Sequence, residues 1–138
     1  MKNNPIQITE FDASRLGSML NQAVREGLIT DAEAVKLRAE LRRAKMVAPG
    51  AVPSGVVTMN STLDLLDIET GEPETWTLVF PEDADALEGR VSVLSPIGTA
   101  VLGCRVGDII ESEVPAGVRR LAIQKIVYQP EAAGDFHL

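Results

Sequence analysis

Few residues of this sequence have the types and spacing that catalysis or metal binding requires. The sequence has one histidine, His137, and one cysteine, Cys104. A histidine next to a chain end is more often a frayed terminal residue than a base or a ligand. A cysteine nucleophile needs a neighbouring base to activate it. We therefore expect Cys104 to be a small buried thiol within an apolar stretch.

Other catalytic patterns are absent. The sequence contains neither of the glycine-rich patterns that hold nucleotide phosphates, and its serines have no histidine with which to form a triad. The acids Glu82, Asp83 and Asp85 could hold a divalent cation, but they lack the glycine and the final glutamate of a calcium loop. The solvated start of a helix explains them better. By elimination, we expect no self-sufficient enzyme, no cofactor and no metal site.

Two helices are predicted at the start of the chain. Thr9 is positioned as the N-cap of the first helix, and Gly27 is positioned to end it. The segment Thr30-Asp31-Ala32-Glu33 is a capping box that starts a second helix. The connection is short, which predicts an antiparallel helical hairpin over about residues 9–46. The apolar residues of the second helix form a narrow stripe made up of Ala34, Leu37, Leu41 and Ala44.

The pattern changes after the hairpin. Proline and glycine at 49–55 indicate a linker, which divides the chain into a hairpin (1–48), a linker (49–55) and a second domain (56–138). A strand pair flanks the turn 69–72, a short strand follows at 90–94, and Ser95 to Gly103 reads as a short helix. Two more strands are predicted at 108–114 and 118–128, the latter burying Leu121, Ile123 and Ile126. The fold class is therefore α+β, with an antiparallel sheet around one short helix.

Composition and charge limit the function classes. The 138 residues are 45% hydrophobic and 24% charged, as in ordinary globular proteins. No apolar run approaches the roughly 18–20 residues of a membrane span, and the N-terminus lacks the order of a signal peptide, so we expect a cytoplasmic protein. The net charge of −7 disfavours sequence-independent DNA binding. Residues 1–53 are net positive and residues 54–138 strongly negative, which suggests two modules with different surfaces.

The stretch 90–103, followed by Val106-Gly107-Asp108, resembles the centre of the C-terminal domain of the Gre transcript-cleavage factors. That family reads Ile-Ser, two residues, Ser-Pro, one residue, Gly, two residues, Leu, and then Val-Gly-Asp. Residues 56–61 and the tail 128–136 resemble a family of short Gre-like bacterial proteins that regulate nucleoside diphosphate kinase. The resemblance implies a coiled-coil hairpin fused to an FKBP-like α+β domain, and binding to RNA polymerase at the rim of its secondary channel.

The resemblance also implies site residues. The residues that would contact the polymerase are Leu94, Ser95, Pro96 and Gly98. The hairpin tip would consist of Glu26, Leu28 and Asp31. In Gre factors, acids at the tip of a long hairpin help to hold a catalytic magnesium ion in the polymerase. Each helix predicted here has at most about 17 residues, which makes a hairpin of roughly 25 Å, shorter than the Gre hairpin. We therefore expect a non-enzymatic regulator that competes with Gre factors without cleaving RNA.

Other interpretations remain. The resemblance implies an effect on nucleoside diphosphate kinase, which we expect to be indirect because no residue indicates a contact with that kinase. We expect contact with DNA only through the polymerase complex. Ser95 and Pro96 also have a purely structural explanation, because they are a good start for a helix. An FKBP-like prolyl isomerase or chaperone is the main rival, but its pocket would need more aromatic residues than this chain has. A dimer formed through the stripe of the second helix ranks last, and we expect a monomer.

Overall fold

The chain divides into a helical unit and a sheet-containing unit. A computed structural model describes residues 6–114, 117–135 and 138. The first compact unit lies within Lys2–Val52, and the second comprises Pro53–Leu138. In the described ranges, no helix combines the length and the apolar character needed to cross a membrane. The predicted α+β class is confirmed.

The first unit is the predicted helical hairpin, formed by α1 (Glu10–Arg25) and α2 (Asp31–Arg43). The Thr9 hydroxyl accepts a hydrogen bond from the amide of Asp12 at 3.1 Å, which caps α1. Thr30 and Glu33 form the capping box of α2. The predicted helix starts are therefore confirmed, because each depends on side chains within three residues of the helix end.

The two helices bury one face each. The buried residues of the apolar faces are Leu16, Leu20 and Ala23 on α1, and Ala34 and Leu37 on α2. Leu41 and Ala44, which the sequence placed on the same stripe, are only half-buried. A two-residue parallel ladder between β1 (Gln7–Ile8) and β2 (Lys45–Met46) joins the open ends of the hairpin.

The second unit is built on a five-stranded sheet. In chain order, its strands are β3 (Thr62–Asp67), β4 (Pro73–Val79), β5 (Arg90–Ser92), β6 (Ile109–Val114) and β7 (Gly117–Tyr128). Their order across the sheet is β5-β4-β3-β7-β6. The short helices α3 (Pro96–Val101) and α4 (Pro130–Ala133) complete the unit.

The expectation of a wholly antiparallel sheet is wrong at one edge. β5 pairs with β4 in parallel, whereas the other three strand pairs are antiparallel. Between β4 and β5 the chain makes two single-turn 3₁₀ helices, Pro81–Asp83 and Ala86–Glu88. This connection turns the chain back so that Arg90, the first residue of β5, lies opposite Thr77 in the second half of β4, and β5 therefore runs in the same direction as its neighbour.

A bulge in β7 shapes the core. Leu65 lies opposite Ile123 and Asp64 opposite Lys125, so Gln124 has no partner on β3. The extra residue shifts the inward-outward alternation of the strand. Ile126 therefore lies opposite the buried Leu63, three positions beyond Ile123. The structure buries Leu121 and Ile123 as the sequence predicted and leaves Ile126 half-buried.

One ion-pair cluster joins three strands. Arg119 on β7 donates to Asp67 at the end of β3 at 3.1 Å and also to Glu74 on β4. The pKa of Asp67 lies below its usual value. The hydrogen bond from the backbone amide of Thr70 favours the charged form most, and the hydrogen bond from the Arg119 guanidinium comes next. The hairpin turn after β3 and the neighbouring strand ends are thus fixed to each other.

Candidate functional site

The turn between β5 and α3, together with the first turn of α3, contains the four residues that the sequence assigned to polymerase contact. Ser95 is the N-cap of α3, and its hydroxyl accepts from the amide of Gly98 at 3.0 Å. The same hydroxyl donates to the carbonyl oxygen of Ser92 at 2.7 Å. The Ser92 hydroxyl in turn accepts from the amide of Leu94 at 3.0 Å. The hydroxyl groups of Ser92 and Ser95 therefore form hydrogen bonds with backbone groups on both sides of the turn.

Gly98 allows α3 to pack directly on this turn. A Cβ atom at this position would lie 1.9 Å from the carbonyl oxygen of Ser92, well inside van der Waals contact. Thr99 adds a hydrogen bond between the helix and the turn, because its hydroxyl donates to the carbonyl oxygen of Val93 at 2.7 Å. The turn is therefore held rigidly against the first turn of the helix.

The geometry separates the four residues into two roles. Pro96 is exposed, and Leu94 and Ser95 are half-buried, whereas Gly98 is buried beneath them. Gly98 therefore supports the turn, and the surface of the turn consists of Leu94, Ser95 and Pro96. None of these side chains is ionisable, so the turn is suited to contacting another molecule and not to acid–base chemistry.

The hairpin tip carries the second set of predicted residues. Leu28 is 63% exposed, and Glu26 and Asp31 are exposed beside it. Glu26 accepts a hydrogen bond from Gln22 at 3.0 Å. Gly27 adopts a positive φ of 71°, which ends α1 as predicted. The tip therefore presents two carboxylates and one apolar side chain to solvent.

Those of the remaining candidates that the structure describes show no catalytic arrangement. Cys104 is buried, as predicted, and its thiol donates to the carbonyl oxygen of Ala100 at 3.1 Å. His137 lies outside the described residues. The acids Glu82, Asp83 and Asp85 lie exposed in and beside the 3₁₀ turns. Across 6–114, 117–135 and 138, no three His, Cys, Asp or Glu side chains are grouped as a metal ion would require.

The sheet unit has a shallow cleft of about 640 Å³ beside the β7 bulge. Asp64 and Lys125 stand at this cleft, and Val106, Gly107, Ala122, Ile123 and Gln124 complete its lining. No aromatic side chain lines it. Phe80 is buried, and the indole of Trp76 donates to Glu74 at 3.0 Å. The aromatic pocket of the rival prolyl isomerase interpretation is not formed at this cleft.

Sequence reasoning missed the residues that support the turn and those that close the domain. Ser92 and Thr99 could have been identified, because short-range hydroxyl-to-backbone bonds around a Ser-Pro pair are a local pattern. Gln129 and Glu131 are buried polar residues, and each of them also hydrogen-bonds to a residue more than 70 positions away in the sequence. No local signal indicates such contacts.

A helical hairpin joined to a sheet unit with a rigid Ser-Pro turn defines a known class of protein. Residues 52–128 match the family model "Transcription elongation factor, GreA/GreB, C-term", and residues 4–47 match the model "Rnk N-terminus". The chain therefore belongs to the GreA/GreB transcription elongation factor family, within the group that carries an Rnk N-terminus.

Individual relatives agree with this assignment. The chain is 43% identical over 140 aligned residues to the regulator of nucleoside diphosphate kinase of Escherichia coli K12, and the alignment covers all of both chains. It is 34% identical to the transcription elongation factor GreA of Listeria welshimeri over 86% of this chain and 68% of that protein. A solved GreA/GreB elongation factor from Nitrosomonas europaea superposes with a TM-score of 0.77 at 38% identity, covering 92% of this chain and 100% of that one.

Proposed function

We propose that this protein binds RNA polymerase at the rim of the secondary channel and competes there with long-hairpin Gre factors without cleaving RNA. The observation that supports this most is the rigid turn at Leu94, Ser95 and Pro96. An uncharged surface held by its own hydrogen bonds loses little conformational freedom on binding, which favours association.

The length of the hairpin supports the non-cleaving part of the proposal. With 16 residues in α1 and 13 in α2, the helices extend about 24 Å and 20 Å. Glu26 and Asp31 stand at the end of this short hairpin, and Glu33 is engaged in the capping box. In this proposal the tip occupies the mouth of the channel, and its carboxylates do not reach a metal ion in the polymerase active site.

Competition binding tests the docking surface. Labelled protein is titrated with core RNA polymerase, and an unlabelled long-hairpin Gre factor is then added as competitor. We expect the competitor to displace the bound protein. Pro96→Arg places a charge on the exposed surface of the turn while leaving the Ser95 cap in place, and we expect it to weaken binding at least tenfold, or about 1.4 kcal/mol.

Leu87→Arg is the matched control. Leu87 is 97% exposed on the connection between β4 and β5, and the substitution makes the same change in charge outside the turn. We expect its affinity to equal that of the wild type. Equal affinities for Pro96→Arg and wild type, with both proteins folded, would remove the turn from the interface.

A transcript-cleavage assay on a stalled elongation complex tests the second part. We expect no shortened RNA in the presence of this protein, and slower cleavage when it is mixed with a long-hairpin Gre factor. Cleavage that increases with the concentration of this protein, and that Pro96→Arg abolishes, would contradict the proposal.

The Escherichia coli relative that aligns with the whole of this chain is named a regulator of nucleoside diphosphate kinase. We propose that any effect of this chain on that kinase is indirect and acts through transcription. The chain and purified kinase should therefore form no complex at micromolar concentrations, and adding the chain should leave the rate of phosphate transfer unchanged. A direct complex or a changed rate would overturn this part.

A further inference from the structure

The segment after β7 folds back onto the start of the sheet unit. Gln129 is the N-cap of α4, and its side-chain oxygen accepts from the amide of Ala132 at 3.1 Å. Its side-chain nitrogen donates to the carbonyl oxygens of Pro53 at 2.8 Å and Val56 at 2.6 Å. One buried amide therefore starts the last helix and also binds the first residues of the unit.

A second buried contact lies beside the first. The carboxylate of Glu131 accepts from the hydroxyl of Thr58 at 2.5 Å, and the amide of Thr58 donates to Ser61 at 3.0 Å. Tyr128 and Asp135 are hydrogen-bonded to each other across α4. A four-residue helix is not stable alone, so these contacts keep residues 129–135 in place.

The residues that this segment holds are paired with the end of α3. The amide of Val57 donates to the carbonyl oxygen of Cys104 at 2.8 Å, and the amide of Gly103 donates back to Val57 at 2.9 Å. Val56 and Arg105 form an adjoining antiparallel bridge. Cys104 in turn bonds to Val101 and Ala100 at the end of α3. A continuous series of contacts thus runs from Gln129 to the helix that begins at Pro96.

We propose that residues 129–135 are a C-terminal latch that holds Pro53–Thr58 against the end of α3, and that Gln129 and Glu131 are positioning residues for the turn at Leu94–Pro96. The latch follows the stretch 52–128 that matches the model of the GreA/GreB C-terminal domain. Its link to polymerase binding rests on the proposed function, whereas the latch itself can be measured without polymerase.

Cys104 is a natural reporter of the latch. It is the only cysteine in the chain and is buried, so its reaction with a thiol reagent measures how often this part of the unit opens. Gln129→Glu keeps an oxygen to cap α4 but loses the N–H groups that bind Pro53 and Val56. We expect the thiol of this variant to react at least tenfold faster than that of the wild type.

Gln124→Glu is the matched control, because it makes the same change at an exposed position of β7. We expect its thiol to react at the wild-type rate. The dependence of the reaction on low urea concentrations distinguishes local opening, which exposes little surface, from global unfolding, which exposes much. An unchanged rate in Gln129→Glu, or a faster rate with the full urea dependence of global unfolding, would overturn the latch.

Polymerase binding then tests the positioning role. We expect Gln129→Glu to bind at least threefold more weakly than wild type, and Pro96→Arg to leave Cys104 as protected as in the wild type. If Gln129→Glu exposes Cys104 but binds polymerase with unchanged affinity, the positioning role is wrong and the latch itself remains supported. Failure of the wild type itself to bind would remove the proposed function and the positioning role with it, while the thiol reaction would still decide the latch.

Discussion

Replacing Gly98 by alanine tests whether the turn at Leu94–Pro96 is as rigidly packed as its geometry indicates. The added methyl group would lie 1.9 Å from the carbonyl oxygen of Ser92 and 2.9 Å from the Cα of Val93. These atoms belong to the backbone, so no side-chain rotation can relieve the overlap. The two segments must separate by more than about 1 Å to reach ordinary contact.

The size of the effect follows from three contributions. Overpacking a tight site costs about 1–3 kcal/mol. The same shift strains two hydrogen bonds to the Ser92 oxygen, from the amide and the hydroxyl of Ser95, at about 0.5–1.5 kcal/mol each. Alanine regains about 1 kcal/mol of helix propensity over glycine. We expect Gly98→Ala to lower the free energy of unfolding of the sheet unit by the sum of these contributions, about 1–5 kcal/mol.

Urea denaturation measures this loss. Trp76 is the only tryptophan and lies in the sheet unit, so its fluorescence reports on the unit that contains Gly98. We expect the midpoint of Gly98→Ala to fall by about 1 M or more. Gly17→Ala is the contrasting substitution, because Gly17 lies within α1 and its added Cβ would meet nothing within 4 Å. It should stabilise the hairpin unit by about 0.5–1 kcal/mol. A Gly98→Ala protein with the wild-type midpoint would refute the packing argument.

Two further predictions concern the latch and the hairpin. Tyr128 is the only tyrosine, and its hydrogen bond to Asp135, with burial, raises its pKa to about 12. Its protonated form therefore stabilises the fold below the ordinary pKa near 10, and this contribution disappears as the pH rises from about 10 to 12. The phenolate absorbance should show a single titration, and Asp135→Ala should move its midpoint towards pH 10. An unchanged midpoint would contradict the hydrogen bond to Asp135 as the cause of the raised pKa. Thr30→Ala removes the capping box and should destabilise α2 by about 1 kcal/mol, measured by the helical circular dichroism signal, whereas Thr30→Ser should retain most of the stability.

The parts of the fold that follow local rules could be predicted from the sequence. The caps at Thr9 and Thr30 and the helix end at Gly27 depend on contacts within about four residues. The short helix after Ser95 depends on the same kind of contact. The candidate docking turn was located in this way, together with the resemblance of its surroundings to a known family.

Local rules failed where a residue's environment depends on distant chain segments. The connection after β4 decides that β5 runs parallel to it, and the bulge at Gln124 appears only when β7 is paired with β3. Asp12 shows a similar effect in the hairpin, where burial raises the pKa of its carboxyl despite the neighbouring Arg15.

The amino-acid sequence by itself determined the helical hairpin, the strands of the five-stranded sheet, the starts of α1, α2 and α3, and the turn that carries the Ser-Pro pair. The tertiary structure decided that Gly98 supports that turn from below, and that Gln129 and Glu131 close the domain. The physical reason is the range of the interactions. A cap is satisfied within three residues, whereas Gln129 and Val56 are 73 residues apart in the sequence and meet only once the sheet between them has formed.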